Sequence, residues 1–109
     1  MKADRTEEAV KEGSNVTLTC RGRNVQWQDT TVLWKFNGHN IQENTNKKEI
    51  QKFLDDKKGT FSLYIKNVTE KDVGNYTCLA KVGGLPDGED YVKLSLVKKG
   101  EFHLLLLLL

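Results

Sequence analysis

Histidine is nearly absent from this 109-residue chain, and that scarcity removes much chemistry at once. His39 follows Asn37-Gly38 in a turn-like stretch and His103 lies in an atypical C-terminal run. Neither has a histidine or cysteine at metal-ligand spacing. Ser14, Ser62 and Ser95 stand without a histidine and acid that would make any of them a nucleophile. The acids Asp55-Asp56 and Asp87-x-Glu89-Asp90 lack the alternating oxygen ligands of a calcium loop. The expectation is therefore no metal, no cofactor and no enzymatic activity.

Charge of one sign is lacking too. Seventeen basic residues face 15 acidic ones, for a formal charge of +2. The lysine pairs 47-48, 57-58 and 98-99 have acids nearby, and no basic stripe is interleaved with stacking aromatics, so nucleic acid is not an expected partner. No apolar stretch follows Met1-Lys2-Ala3 as a signal peptide would require, so the chain reads as a mature fragment restarted with methionine. Leu104 to Leu109 as a helix would cover ~9 Å, against the ~30 Å of a hydrocarbon core. No direct membrane insertion by this domain is expected. Residues 99–109 read as a tag or vector-derived tail, residues 1–7 as a flexible lead, and residues 8–98 as one domain; the length leaves no room for a second.

What the chain does have is apolar residues at every second position, with no competing helical periodicity. Val16, Leu18 and Cys20 form one inward set, and Val32, Trp34 and Phe36 the next. Asn37-Gly38 then supplies a tight turn into residues 39–42. Phe61, Leu63 and Ile65 follow, then Tyr76, Cys78, Ala80 and Val82, and finally Val92, Leu94 and Leu96. Residues 47–58 carry Ile50, Phe53 and Leu54 at a spacing that a helix could also use; a short edge strand over 50–54 is preferred. Polar segments at 21–31, 43–49 and 83–90 separate the strands. Seven or so short strands without a covering helix leave two antiparallel sheets packed face to face. Cys20 and Cys78 share inward parity, so a bridge between them would tie one sheet to the other. Trp34 could fill the centre beside it.

The segment EKDVGNYTC, residues 70 to 78, serves a corner. Tyr76 is inward and needs an acceptor for its phenol, which a carbonyl in the preceding turn can supply. Gly74 leaves room for a close approach. Asp72 can accept from turn amides or pair with a cation on a neighbouring strand, Lys52 being the expected one.

At this point the chain resembles the immunoglobulin superfamily. Cys20, Trp34, Leu63, Ile65, Val68, Asp72, Gly74, Tyr76 and Cys78 match its cysteine, core tryptophan, L-x-I strand and D-x-G-x-Y-x-C, over about Glu8 to Val97. The cysteine separation is similar to the intermediate or constant-2-like sets. The last strand, DYVKLSLV, lacks the phenylalanine-glycine-x-glycine bulge through which variable domains pair. The resemblance implies an all-β, immunoglobulin-like Greek-key β-sandwich of two antiparallel sheets, a Cys20–Cys78 intersheet disulfide, and a tyrosine corner at Tyr76. With both cysteines in that bridge, no thiolate nucleophile remains.

Three N-x-[ST] triplets, at Asn15, Asn67 and Asn75, are expected glycosylation sites and point with the cysteine pair to an extracellular setting. All three fall toward one end of the inferred sandwich, leaving the loops at 21–31 and 83–90 bare. Trp27, in a polar loop with no core parity, is the leading partner-binding residue, with Leu85 and Pro86 as a smaller apolar knob. The expected role is an extracellular protein-binding module of a cell-surface receptor, adhesion molecule or secreted decoy; the alternative is a structural spacer in a longer extracellular chain. The partner is another protein, and a homophilic dimer through one sheet face stays open.

Overall fold

The computed structural model describes residues 1–22, 30–42 and 48–97. Among the described residues nine strands follow in chain order: β1 (Lys2–Ala3), β2 (Glu7–Val10), β3 (Val16–Arg21), β4 (Thr30–Phe36), β5 (His39–Asn40), β6 (Ile50–Asp55), β7 (Thr60–Ile65), β8 (Gly74–Val82) and β9 (Leu85–Leu96). They form a four-stranded sheet in the order β1-β3-β7-β6 and a five-stranded sheet in the order β2-β9-β8-β4-β5. All pairings are antiparallel except β2 with β9.

The period-two pattern explains the packing. Every second residue of β3 and β7 is buried, and Phe61, Leu63 and Ile65 lie directly across from Cys20, Leu18 and Val16. Facing them are Trp34, Tyr76, Cys78, Val92 and Leu94 from the other sheet. Each fully buried side chain of this size contributes ~1.5–3 kcal/mol relative to exposure. The core is thus one apolar layer between two sheets.

Within residues 47–58, Ile50–Asp55 is strand. Lys52 and Leu54 of β6 pair with Leu63 and Phe61, so strand geometry prevails over the helical spacing of Ile50, Phe53 and Leu54. Two other segments differ from the sequence expectation. Residues 2–3 and 7–10, the first part of which reads as a lead, are in the sheets. Ala3 is buried and its amide donates to the Asp90 carboxylate at 2.7 Å, while Asp4 donates its amide to the Thr19 carbonyl. Residues 85–90 are strand, not loop. Gly83 and Gly84, both at positive φ, make a two-residue hairpin turn whose twist suits the flanking strands. A bulge follows: Ala80 faces Gly88 and Lys81 faces Pro86, leaving Asp87 unopposed. Pro86 is tolerated because β2 pairs only with residues 93–96, so this part of β9 has no strand bonded on its other side among the described residues.

Candidate functional site

The corner at residues 69–78 is the most strongly built feature. Thr69 caps a single 3-10 turn, Glu70–Asp72; its side chain accepts from the Lys71 amide, and Asp72 returns to accept from the Thr69 amide at 2.8 Å. Tyr76 then donates its phenol to the Asp72 carbonyl at 2.6 Å. Burial, and secondarily the Asp72 charge, push the Tyr76 phenol well above its ordinary pKa. Gly74 sits at φ +154, and a methyl there would come within 2.6 Å of the Asn37 amide oxygen and 2.8 Å of the Phe36 ring. That close approach is why glycine stands between Asp72 and Tyr76.

The cation at Asp72 is Lys48. Its ammonium lies 2.8 Å from the carboxylate and also donates to the carbonyls of Lys66 and Asn67. The sequence points instead to Lys52, because strand parity is legible there. Lys48 precedes β6 and reaches the corner by a path that alternation does not describe. Asn37 is a second residue whose task was hidden: beyond making the turn with Gly38, its side-chain oxygen accepts from the Asn75 amide at 3.0 Å.

Cys20 and Cys78 form a disulfide with Cα atoms 6.6 Å apart, joining β3 to β8 across the core. Trp34 is 2% exposed and directly opposite Cys78 in the β4–β8 ladder. Leu63 and Ile65 are fully buried and Tyr76 is buried beside Phe36, ring centroids 4.8 Å apart.

The remaining candidates distribute between two poles. At the lower pole, where β9 ends, Asn15 accepts from the Asn67 amide at 3.0 Å, and Asn75 is the second residue of β8 nearby; all three asparagines are exposed. At the upper pole, the β8–β9 hairpin outreaches the other sheet. Cys78 is four residues from the end of β8, whereas Cys20 is one from the end of β3. Val82, inward by parity, is therefore uncovered, and Leu85 beside it is 72% exposed. Leu85 and Pro86 thus stand on a strand just past the turn, not at the tip of a loop. Trp27 lies outside the described residues. Opposite β3, Asp4 grips Arg21 through Nε at 2.7 Å and Nη2 at 3.2 Å, and this bond, then the carboxylate's charge, raises the arginine's pKa further.

Among the described residues no group of three or more histidine, cysteine, aspartate or glutamate side chains could hold a metal ion. No helix there is long and apolar enough to cross a membrane.

No curated protein matches the chain. Among solved structures, a chimeric titin Z1Z2-Z1Z2 tandem functionalised with an exogenous peptide from fibronectin is similar, at 19% identity and a TM-score of 0.69, over 91% of this chain. The chain spans 46% of that structure's length. At this identity the likeness shows the fold, and the fold is widespread, with 1256 chains of solved structures matching. Immunoglobulin-fold domains as a class make protein–protein contacts and are generally not catalysts. Residues 2–81 match the family model described as an immunoglobulin domain, and with the intersheet disulfide, the tryptophan against it and the tyrosine corner, the chain belongs to the immunoglobulin domain family.

Proposed function

We propose that this domain is a structural spacer, one in-line unit of a longer extracellular chain. The observation that carries the reading is that the two ends of the described domain lie at opposite poles. Lys2 and Ala3 pair with Arg21 and Cys20, and Ala3 bonds Asp90, all at the upper pole. Val10 pairs with Leu96, and the Val97 amide donates to Val10, at the lower pole. From Asp90 to Val97 is about 23 Å at ~3.3 Å per strand residue, so the domain would hold its neighbours roughly that far apart. The similar titin structure is itself a tandem. Glycans on Asn15, Asn67 and Asn75 would ring the lower pole.

A second reading keeps the domain as a contact module of a receptor, adhesion molecule or decoy. It is favoured by the projecting hairpin with Leu85 and Val82 exposed. Fluorescent multimers of the domain on cells separate the two. On cells stripped of sulfated polysaccharide, the spacer predicts no saturable, protease-sensitive binding. Such binding, lost in Leu85→Asp with folding intact, would replace it with the contact module.

A further inference from the structure

Three cations, Lys2, Arg21 and Lys58, line one cleft at the upper pole. Lys2 of β1 lies directly across from Arg21 of β3, an arrangement of like charges that costs stability in an antiparallel ladder. Lys58, in the turn between β6 and β7, lines the same cleft of about 620 Å³. Asp4 is the one acid among the described residues lining it, and it is taken up by Arg21. Among the described residues, neither the Lys2 nor the Lys58 ammonium has a carboxylate partner.

The cleft walls are held in place. Asp4 fixes the guanidinium from one side and leaves Nη1 unused by that grip. The Asp55 carboxylate accepts from the amides of Lys57 and Lys58, both at 3.1 Å, which sets the turn that carries Lys58. The Gly22 amide donates to the Gly59 carbonyl at 2.9 Å, tying the end of β3 to that same turn.

We propose that this cleft between β1, β3 and the β6–β7 turn binds a sulfated polysaccharide, with Lys2, Arg21 and Lys58 each meeting an anionic group along the chain. The charges on the lining suit a polyanion. Among the described residues no aromatic ring lines it, so a nucleic acid finds no stacking platform on them. Three cations at separate points on strand and turn instead match a repeating, fully ionised, hydrophilic polyanion.

The test is fluorescence anisotropy of a labelled heparin dodecasaccharide with the wild-type chain, a Lys2→Ala/Lys58→Ala variant, and a Lys66→Ala/Lys71→Ala variant at the other pole. With three contacts, counterion release predicts that wild-type affinity falls roughly 20- to 40-fold between 50 and 200 mM salt. The Lys2→Ala/Lys58→Ala variant should bind about tenfold more weakly at 100 mM. Its affinity should fall only about threefold over the same salt range. The Lys66→Ala/Lys71→Ala variant should match wild type in both. The proposal is overturned by absence of binding at 50 mM salt, or by equal losses in the two variants, which would mean diffuse attraction. Equally tight binding of a desulfated chain, of poly-aspartate or of a single-stranded oligonucleotide would overturn it too. So would competition by inorganic sulfate at matched charge, which would reduce the cleft to a site for single anions.

Discussion

Replacing Tyr76 with phenylalanine removes one oxygen and leaves the ring against Phe36. The lost bond is the 2.6 Å donation to the Asp72 carbonyl. A buried acceptor deprived of its donor costs ~1–3 kcal/mol, and ~2 kcal/mol is the expected value here. For a domain of this size that lowers the melting temperature by roughly 8 to 16 °C. The pH dependence makes the test more specific. The phenol's pKa is raised on folding, by burial first and then by the Asp72 charge, so the folded state holds the proton more tightly. The tyrosine's contribution is therefore complete below the unfolded value of about 10 and is lost as pH rises toward the folded one. Above pH 10 the loss runs at ~1.4 kcal/mol per pH unit, so the cost of Tyr76→Phe should shrink from ~2 kcal/mol at pH 8 to near zero by about pH 11.5. Urea unfolding of both proteins across that range reads it out. A cost below ~0.5 kcal/mol at pH 8, or one that stays constant to pH 11.5, would refute the reasoning.

At the same corner, Lys48→Met should cost ~2 kcal/mol in urea unfolding, because it leaves the Asp72 carboxylate and the Lys66 and Asn67 carbonyls without their shared ammonium. Gly74→Ala should lose ~2–4 kcal/mol through its contacts with Asn37 and Phe36, while Gly38→Ala, which meets nothing within 4 Å, should lose only ~1–2 kcal/mol from its positive φ. Thermal melts that rank Gly38→Ala as the worse of the two would contradict this geometry. Glycopeptide mapping of protein secreted from a eukaryotic host should find glycans on Asn15, Asn67 and Asn75, and none on any of them would remove the argument for a shielded lower pole.

Strand parity carried most of the fold in the sequence, because an inward residue on a covered strand has no other place to go. Leu63, Ile65, Trp34 and Tyr76 were legible for that reason, as was the phenol's need for a carbonyl. Parity says nothing about how far the facing sheet extends. Val82 continues the inward set of Tyr76, Cys78 and Ala80, yet it is exposed because β3 ends first. The Gly83-Gly84 turn was also obscured, since Pro86 and Gly88 make residues 83–90 resemble one long loop until the bulge at Asp87 is seen. Lys48 and Asp4 act from irregular backbone, where no period exists to assign a side chain its direction. The candidate site was thus visible in its buried half and hidden where polar side chains cross between elements.

Single-molecule pulling between Lys2 and Val97, with the bridge intact and then reduced, tests the central claim of a disulfide-tied sandwich with its ends at opposite poles. With the bridge intact, only residues 2–20 and 78–97 can extend, and at ~3.6 Å per residue from a folded span of ~25 Å the gain is about 110 Å. Reduction frees the 58-residue separation between Cys20 and Cys78 and should raise the gain to about 310 Å. Equal gains in the two conditions would contradict the account.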